Sequence, residues 1–172
     1  MNLTNLESNR HDLAKLFYGI GVEVGVADGD FAVTILNNTN VTLLHGVDPY
    51  EPHRGYTDYT RGTTFNNMRK HSIEQLKPFG GRHGFIYAYS MDAVKDFEDN
   101  SLNFCYIDAD HSYKTVMEDI TEWTKKVKKG GFVSGDDYTA DVEKAVLEYC
   151  EANGKHLNVF QGSKPYQWMF CV

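Results

Sequence analysis

The sequence predicts an open α/β sandwich: a mostly parallel seven-stranded sheet covered by helices, with an antiparallel hairpin at its C-terminal end. Three observations predict it. Short β-branched or aromatic runs alternate with segments of helical period, the signature of parallel strands joined by right-handed crossovers. The last two runs, 155–161 KHLNVFQ and 166–172 YQWMFCV, are separated only by GSKP, too short for a helical crossover, so they pair as a hairpin. Finally, 172 residues make one core of ordinary size, and no repeat or Pro/Gly-rich linker divides them, which predicts a single domain over 1–172.

The remaining strands are predicted at 20–26 IGVEVGV, 41–48 VTLLHGVD, 84–89 GFIYAY, 102–108 LNFCYID and 131–135 GFVSG. The clearest helix spans 112–128, where Tyr113, Val116, Met117, Ile120, Trp123 and Val127 share one face. Lys125, Lys126, Lys128 and Lys129 complement the negative end of its dipole, and Gly130 supplies a stop. A second helix, 140–152, repeats Val142, Ala145, Val146 and Tyr149 behind a Thr139 or Asp141 cap and ends before Gly154.

Composition narrows the function. Hydrophobic residues at 41% and aromatics at 13% fill a core, which excludes intrinsic disorder. The balance of 17 Lys+Arg against 24 Asp+Glu gives a net charge of −7, without the basic excess that nucleic acid or an anionic membrane demands. Cys105, Cys150 and Cys171 lack CxxC spacing, and the first residues, MNLTNLESNRHDLAKLF, hold no apolar run of signal or membrane-spanning type. A reduced, cytoplasmic setting is expected.

The polar turns after the strands carry the candidate chemistry, since open sheets of this kind bind ligands at the carboxyl ends of their strands. The first strand runs into Glu23-Val24-Gly25-Val26-Ala27-Asp28-Gly29. Glycines there allow a tight turn and close backbone approach, either to a ligand or simply between strand and helix. Neither the dinucleotide fingerprint nor the Walker pattern is present, and Glu23 and Asp28 would repel a pyrophosphate but welcome positive charge. A sulfonium and amino-acid cofactor meets that requirement. Asp48 lies 23 residues after Gly25, close to the offset at which an acidic side chain accepts ribose hydroxyls, or else it forms a turn before Pro49. Ser90, Met91 and Asp92 follow the third strand, where they either contact an adenine or cap a helix. Asp108, Asp136 and Asp137 end two strands as three hard oxygen donors suited to Mg²⁺ or Ca²⁺. His111, three residues after Asp108, is either a general base beside that ion or a helix-entry residue bonded to a carboxylate.

Together, VEVGVADG, VDPY, FCYIDADHSY and GGFVSGDDY resemble, in order and across nearly the whole chain, the class I S-adenosylmethionine-dependent methyltransferases. The likeness is greatest to the small metal-dependent group that includes macrolide and antibiotic sugar O-methyltransferases. The resemblance implies a Rossmann-like fold whose last antiparallel strand inserts beside the fifth. It implies S-adenosylmethionine and a divalent metal as cofactors, with Glu23, Gly25 and Gly29 around the methionine moiety, Asp28 in the same loop, Asp48 on the ribose, and Ser90, Met91 and Asp92 on the adenine. Asp108 then serves cofactor and metal alike, Asp136 and Asp137 complete the metal set, and His111 paired with Asp108 takes the proton of a substrate hydroxyl.

One departure stands out, because sugar O-methyltransferases carry an additional N-terminal region or lid, whereas here the first strand begins by about residue 20. Loop 49–62, PYEPHRGYTDYTRG, is the best internal candidate for a substitute, with Tyr50, Tyr56 and Tyr59 to stack and His53, Arg54 and Arg61 to bind hydroxyls or carboxylates, or else it is simply a polar loop of above-median length. The acceptor expected is a small sugar or diol, and an edge strand or the aromatic loop offers a homo-oligomer contact. Three readings compete: a metal-independent N- or small-molecule methyltransferase, a Mg²⁺-dependent hydrolase built on the aspartates, and a cofactor-binding subunit without chemistry of its own.

Overall fold

Alternation along the central strands sends successive side chains to opposite faces of one sheet, so two cores form rather than one. The computed structural model describes residues 3–38, 40–52 and 62–172. Its elements are β1 (Leu3–Leu6), α1 (Arg10–Ala14), β2 (Tyr18–Val24), α2 (Asp30–Asn38), β3 (Asn40–Val47), α3 (Gly62–Leu76), β4 (His83–Ile86), α4 (Ser90–Ala93), β5 (Leu102–Ile107), α5 (Tyr113–Lys126), β6 (Val127–Gly135), α6 (Ala140–Ala152), β7 (Leu157–Phe160) and β8 (Gln167–Cys171). The strands form one sheet in the order β1-β7-β8-β6-β5-β2-β3-β4. Pairing from β6 to β4 is parallel throughout, and β8 runs antiparallel between β6 and β7. The C-terminal hairpin therefore closes the parallel sheet as expected.

On one face Val22, Val24, Cys105, Ile107 and Val133 pack with Ile120 and Trp123 of α5 and Val142 and Val146 of α6. On the other, Phe104 and Tyr106 pack with Leu13 of α1, Phe31 and Ile35 of α2, and Met68 of α3. The central register aligns Glu23 with Tyr106, and Tyr106 with Ser134, just below the carboxyl edge where the polar turns emerge.

The sheet has eight strands rather than seven, because Leu3–Leu6 adds an edge strand parallel to β7. The 112–128 helix stops at Lys126: Val127 is extended, 1% exposed and paired with Leu102, so burying its side chain in the sheet favours strand over another helical turn. Lys128, Lys129 and Gly130 accordingly belong to β6 and not to a helix end. The third predicted strand is shorter than 84–89, ending at Ile86 before the turn into α4. Of loop 49–62, residues 53–61 lie outside the described residues, and with them His53, Arg54, Tyr56, Tyr59 and Arg61.

Candidate active site

The loop after β2 is shaped by close backbone approach. Gly25 has φ +91°, and a Cβ there would stand 2.0 Å from the Asp108 carbonyl oxygen, so no other residue lets the β2 and β5 ends meet in this way. Gly29, at φ +86°, turns the chain into α2 against Ser72 and Leu76. Asp48 at the end of β3 organises the same loop. Its Oδ2 accepts the Val26 and Ala27 N–H groups at 3.0 Å each, and its Oδ1 accepts the Tyr50 N–H at 2.8 Å. A carboxylate has about four lone-pair sites, so Oδ1 keeps one for a ligand hydroxyl. Tyr50 is buried, with its hydroxyl bonded to the Ala27 carbonyl and Ser72 Oγ, which makes it a strut under the loop as well as part of the cavity lining. Ala27, Tyr50 and Asp137 all adopt left-handed backbone around this edge, a concentration of strain typical of ligand sites.

These turns enclose a cavity of about 580 Å³. It is lined by Glu23, Gly25, Asp28, Asp48, Ser90 and Met91 and also by Asp108, His111, Asp136 and Asp137. Two predicted cofactor residues are outside it. Gly29 serves the loop's turn, and Asp92 points to solvent, where its carboxylate holds Lys95 Nζ at 2.6 Å. Ser90, at the start of α4, is fixed from behind: its Oγ accepts the Trp123 indole N–H at 2.8 Å and donates to Asp119 Oδ1. Asp119 lines the cavity too, fully buried and with Oδ2 lacking a hydrogen-bond partner among the described residues. Burial pushes its pKa up to about 7; the Ser90 hydrogen bond opposes this, and Glu118 and Asp110 add to it.

Glu23 is 1% exposed, and its Oε2 likewise lacks a hydrogen-bond partner among the described residues. Burial drives its pKa well above the ordinary carboxyl range, with Arg10 pulling the other way and Asp108 and Asp48 adding to the rise. A ligand with positive charge beside this carboxylate would relieve its desolvation, as the sulfonium or ammonium of S-adenosylmethionine would. Residues shaped for a cationic amino-acid group, a hydroxyl acceptor at Asp48 and the Ser90–Met91 wall together fit that cofactor.

The other side departs from expectation. Arg10, at the start of α1, reaches over the Phe31 ring and binds Asp108 Oδ2 at 2.9 Å and Asp136 Oδ2 at 3.1 Å. Asp136 Oδ1 accepts the Gln167 side-chain amide and the Asp137 N–H, both at 2.9 Å, so the chain itself engages both of its oxygens. Of the predicted metal set, Asp108 and Asp137 come together with His111 among the described residues, while Asp136 is engaged by Arg10 and stands outside that group. Asp137 turns instead to His111, whose Nε2 lies 3.2 Å from Asp137 Oδ2 and 3.6 Å from Asp108 Oδ1. Asp108, His111 and Asp137 are the grouping whose ligand atoms come within 4.8 Å of one another among the described residues.

Arg10 and Asp119 were missed in the sequence. Arg10 sits in a stretch with no site-like spacing, and only the tertiary fold brings it to the strand ends. Asp119 did carry a signal, an acidic residue three positions after Val116 and four before Trp123 on the buried stripe of α5.

Comparison with known proteins agrees with this geometry. The methyltransferase domain family matches residues 22–138. An uncharacterized protein of Acanthamoeba polyphaga mimivirus is 26% identical over 117 residues, covering 68% of this chain and 50% of that protein. The chain thus spans about half the length of the curated relative it matches. Among solved structures, a precorrin-6y C5,15-methyltransferase from Geobacter metallireducens superposes with a TM-score of 0.69 at 12% identity, covering 94% of this chain and 85% of that one. A SAM-dependent O-methyltransferase from Thermotoga maritima gives 0.66 at 12% identity, covering 94% and 62%. A Streptococcus mutans protein solved with S-adenosylhomocysteine gives 0.65 at 11%, covering 94% of each. No helix among the described residues is long and apolar enough to cross a membrane. With a family match over its central two-thirds and the strand order and loop geometry expected of it, the chain belongs to the methyltransferase domain family and has the class I, S-adenosylmethionine-dependent methyltransferase fold.

Proposed function

We propose that this protein transfers a methyl group from S-adenosylmethionine to a hydroxyl of a small molecule, with His111 as the general base. The observation that carries the reading is the position of His111. It lines the same cavity as Glu23 and Asp48, with Asp108 and Asp137 carboxylate oxygens facing Nε2. Bound S-adenosylmethionine supplies an electrophilic methyl on a sulfonium. Glu23 would face the positive charge of the cofactor, and Asp48, which holds the loop, would accept a ribose hydroxyl. Ser90 and Met91 would present the wall for the adenine. His111 takes the acceptor proton, and the Asp108 and Asp137 carboxylates that face Nε2 stabilise the imidazolium that results. The acidic lining, with Asp110, Asp136 and Asp137 among its members, supports a small neutral or cationic acceptor over a polyanion such as nucleic acid.

The metal-assisted form of this reaction would need an ion that lowers the pKa of one hydroxyl of a diol. Asp136 is engaged by Arg10, and Asp108, His111 and Asp137 are the residues that would hold such an ion. Base catalysis by His111 is the form proposed, and activity that EDTA abolishes would assign the metal-assisted form instead. The test is transfer of labelled methyl from S-adenosylmethionine to a panel of sugars, catechol-like diols and matched amines. Hydroxyl products from the wild-type protein that vanish in His111→Ala are expected, and methylation of the amines alone would overturn the assignment.

A further inference from the structure

The residue outside the usual reading of this site is Arg10, and its setting is that of a permanent part. Its fork binds two carboxylates from two different strand ends, Asp108 beyond β5 and Asp136 beyond β6. Its guanidinium carbon lies 3.9 Å from the centre of the Phe31 ring and 5.5 Å from that of Tyr106, so the cation rests on aromatic faces that favour positive charge. The short helix that carries it is anchored at both ends. Asn9 and Asp12 form a reciprocal capping box at its start, and Leu13, Ala14 and Phe17 are buried just beyond Arg10.

We infer that Arg10 is the resident cation of the acceptor side: by bridging Asp108 and Asp136 it takes the place a divalent ion would hold between these carboxylates, leaving the pair without a metal. The inference builds on the methyltransferase reading above and deepens it. Asp136 is 3% exposed, and a buried carboxylate without a countercharge is costly, so some cation must accompany it. An arginine cannot deprotonate at working pH, and its planar fork matches two carboxylates where a lysine would offer a single point charge. A divalent ion would have to lie about 2.0–2.6 Å from the same oxygens, inside the space the guanidinium nitrogens occupy. Arg10 has a second consequence for the proposed base. With Asp108 Oδ2 held by Arg10, Oδ1 is turned toward His111, so Arg10 acts as a positioning residue for the Asp108–His111 pair.

The experiment is a calorimetric titration of the full chain with MgCl₂ and, separately, MnCl₂. It is run on wild type, Arg10→Gln and Arg10→Lys, with melting temperatures recorded in EDTA and in excess Mg²⁺. Wild type should show no saturable binding below about 1 mM, the weak end of protein cation sites, and the same melting temperature in both buffers. Arg10→Gln should melt lower in EDTA, recover with Mg²⁺ and bind the ion at least about tenfold tighter than wild type, with Arg10→Lys between them. A purely structural arginine would lower the melting temperature without any gain in metal affinity, and that result overturns the inference. Micromolar Mg²⁺ or Mn²⁺ binding by the wild type overturns it as well. If Arg10→Gln folds only when Mg²⁺ is present the inference is supported. If it folds in neither buffer, Arg10→Lys decides, and affinity equal to wild type counts against the inference. Titrating wild type with S-adenosylmethionine in the same series separates the two ideas: absent cofactor binding sinks the methyltransferase reading and leaves the metal result intact.

Discussion

Asp119→Asn gives the most quantitative handle on the cavity wall. The Asp119 carboxyl is fully buried, with a pKa near 7 in the folded chain against 3.8 in the unfolded one. The folded state therefore binds more protons than the unfolded state between these values. Its contribution to stability is complete below the unfolded pKa and is lost as the pH rises through the folded one. Integrating that difference from about pH 5 to pH 8 gives a loss of roughly 2–3 kcal/mol from this one group. Asparagine keeps the shape and still accepts the Ser90 hydroxyl through its carbonyl, yet cannot ionise. Urea denaturation at pH 5 and pH 8 should find wild type losing about 2–3 kcal/mol more than Asp119→Asn over that interval, the variant being the more stable at pH 8. Taking the difference between the two proteins cancels the like-signed effect of Glu23. Profiles parallel within about 0.5 kcal/mol would refute the buried, uncompensated carboxyl at this position.

Other outcomes follow from the same geometry. Gly25→Ala places a methyl group 2.0 Å from the Asp108 carbonyl oxygen in a left-handed conformation, and should weaken S-adenosylhomocysteine binding at least about tenfold by calorimetry; undiminished affinity would count against the loop assignment. Asp48→Ala leaves the N–H groups of Val26, Ala27 and Tyr50 without their acceptor. It should cost about 2–3 kcal/mol of stability and reduce cofactor affinity, both absent if Asp48 were an incidental turn residue. His111→Ala should lower kcat by about 10²–10⁴ while the dissociation constant for S-adenosylmethionine stays within about threefold. Failure of cofactor binding in that variant would place His111 on the wrong side of the cavity.

Much of the fold was legible because strands buried on both faces leave apolar runs, and a four-residue connection between 161 and 166 admits only a hairpin. β1 was not legible: four residues are too few for alternation to show, and its pairing with β7 is settled by contacts far along the chain. On the cofactor side, Glu23, Gly25, Asp48, Ser90 and Met91 reach the cavity because turns at strand ends are fixed by local sequence, whereas Asp92 follows its helix to solvent. Charge pairing was the hidden part. Three aspartates at two strand ends read as a metal set until the partner of two of them is known, and Arg10 lies 98 residues from Asp108. His111, expected beside those aspartates, does meet Asp108 and Asp137.

The most direct test of the central claim is a calorimetric titration of the purified protein with S-adenosylmethionine, with and without Mg²⁺, using NAD as the control. One-site binding of S-adenosylmethionine that is indifferent to Mg²⁺, with no response to NAD, is expected from the buried Glu23 side chain and the Asp48-held loop. No binding of S-adenosylmethionine under either condition would contradict the account and return the aspartate cluster to a hydrolytic reading.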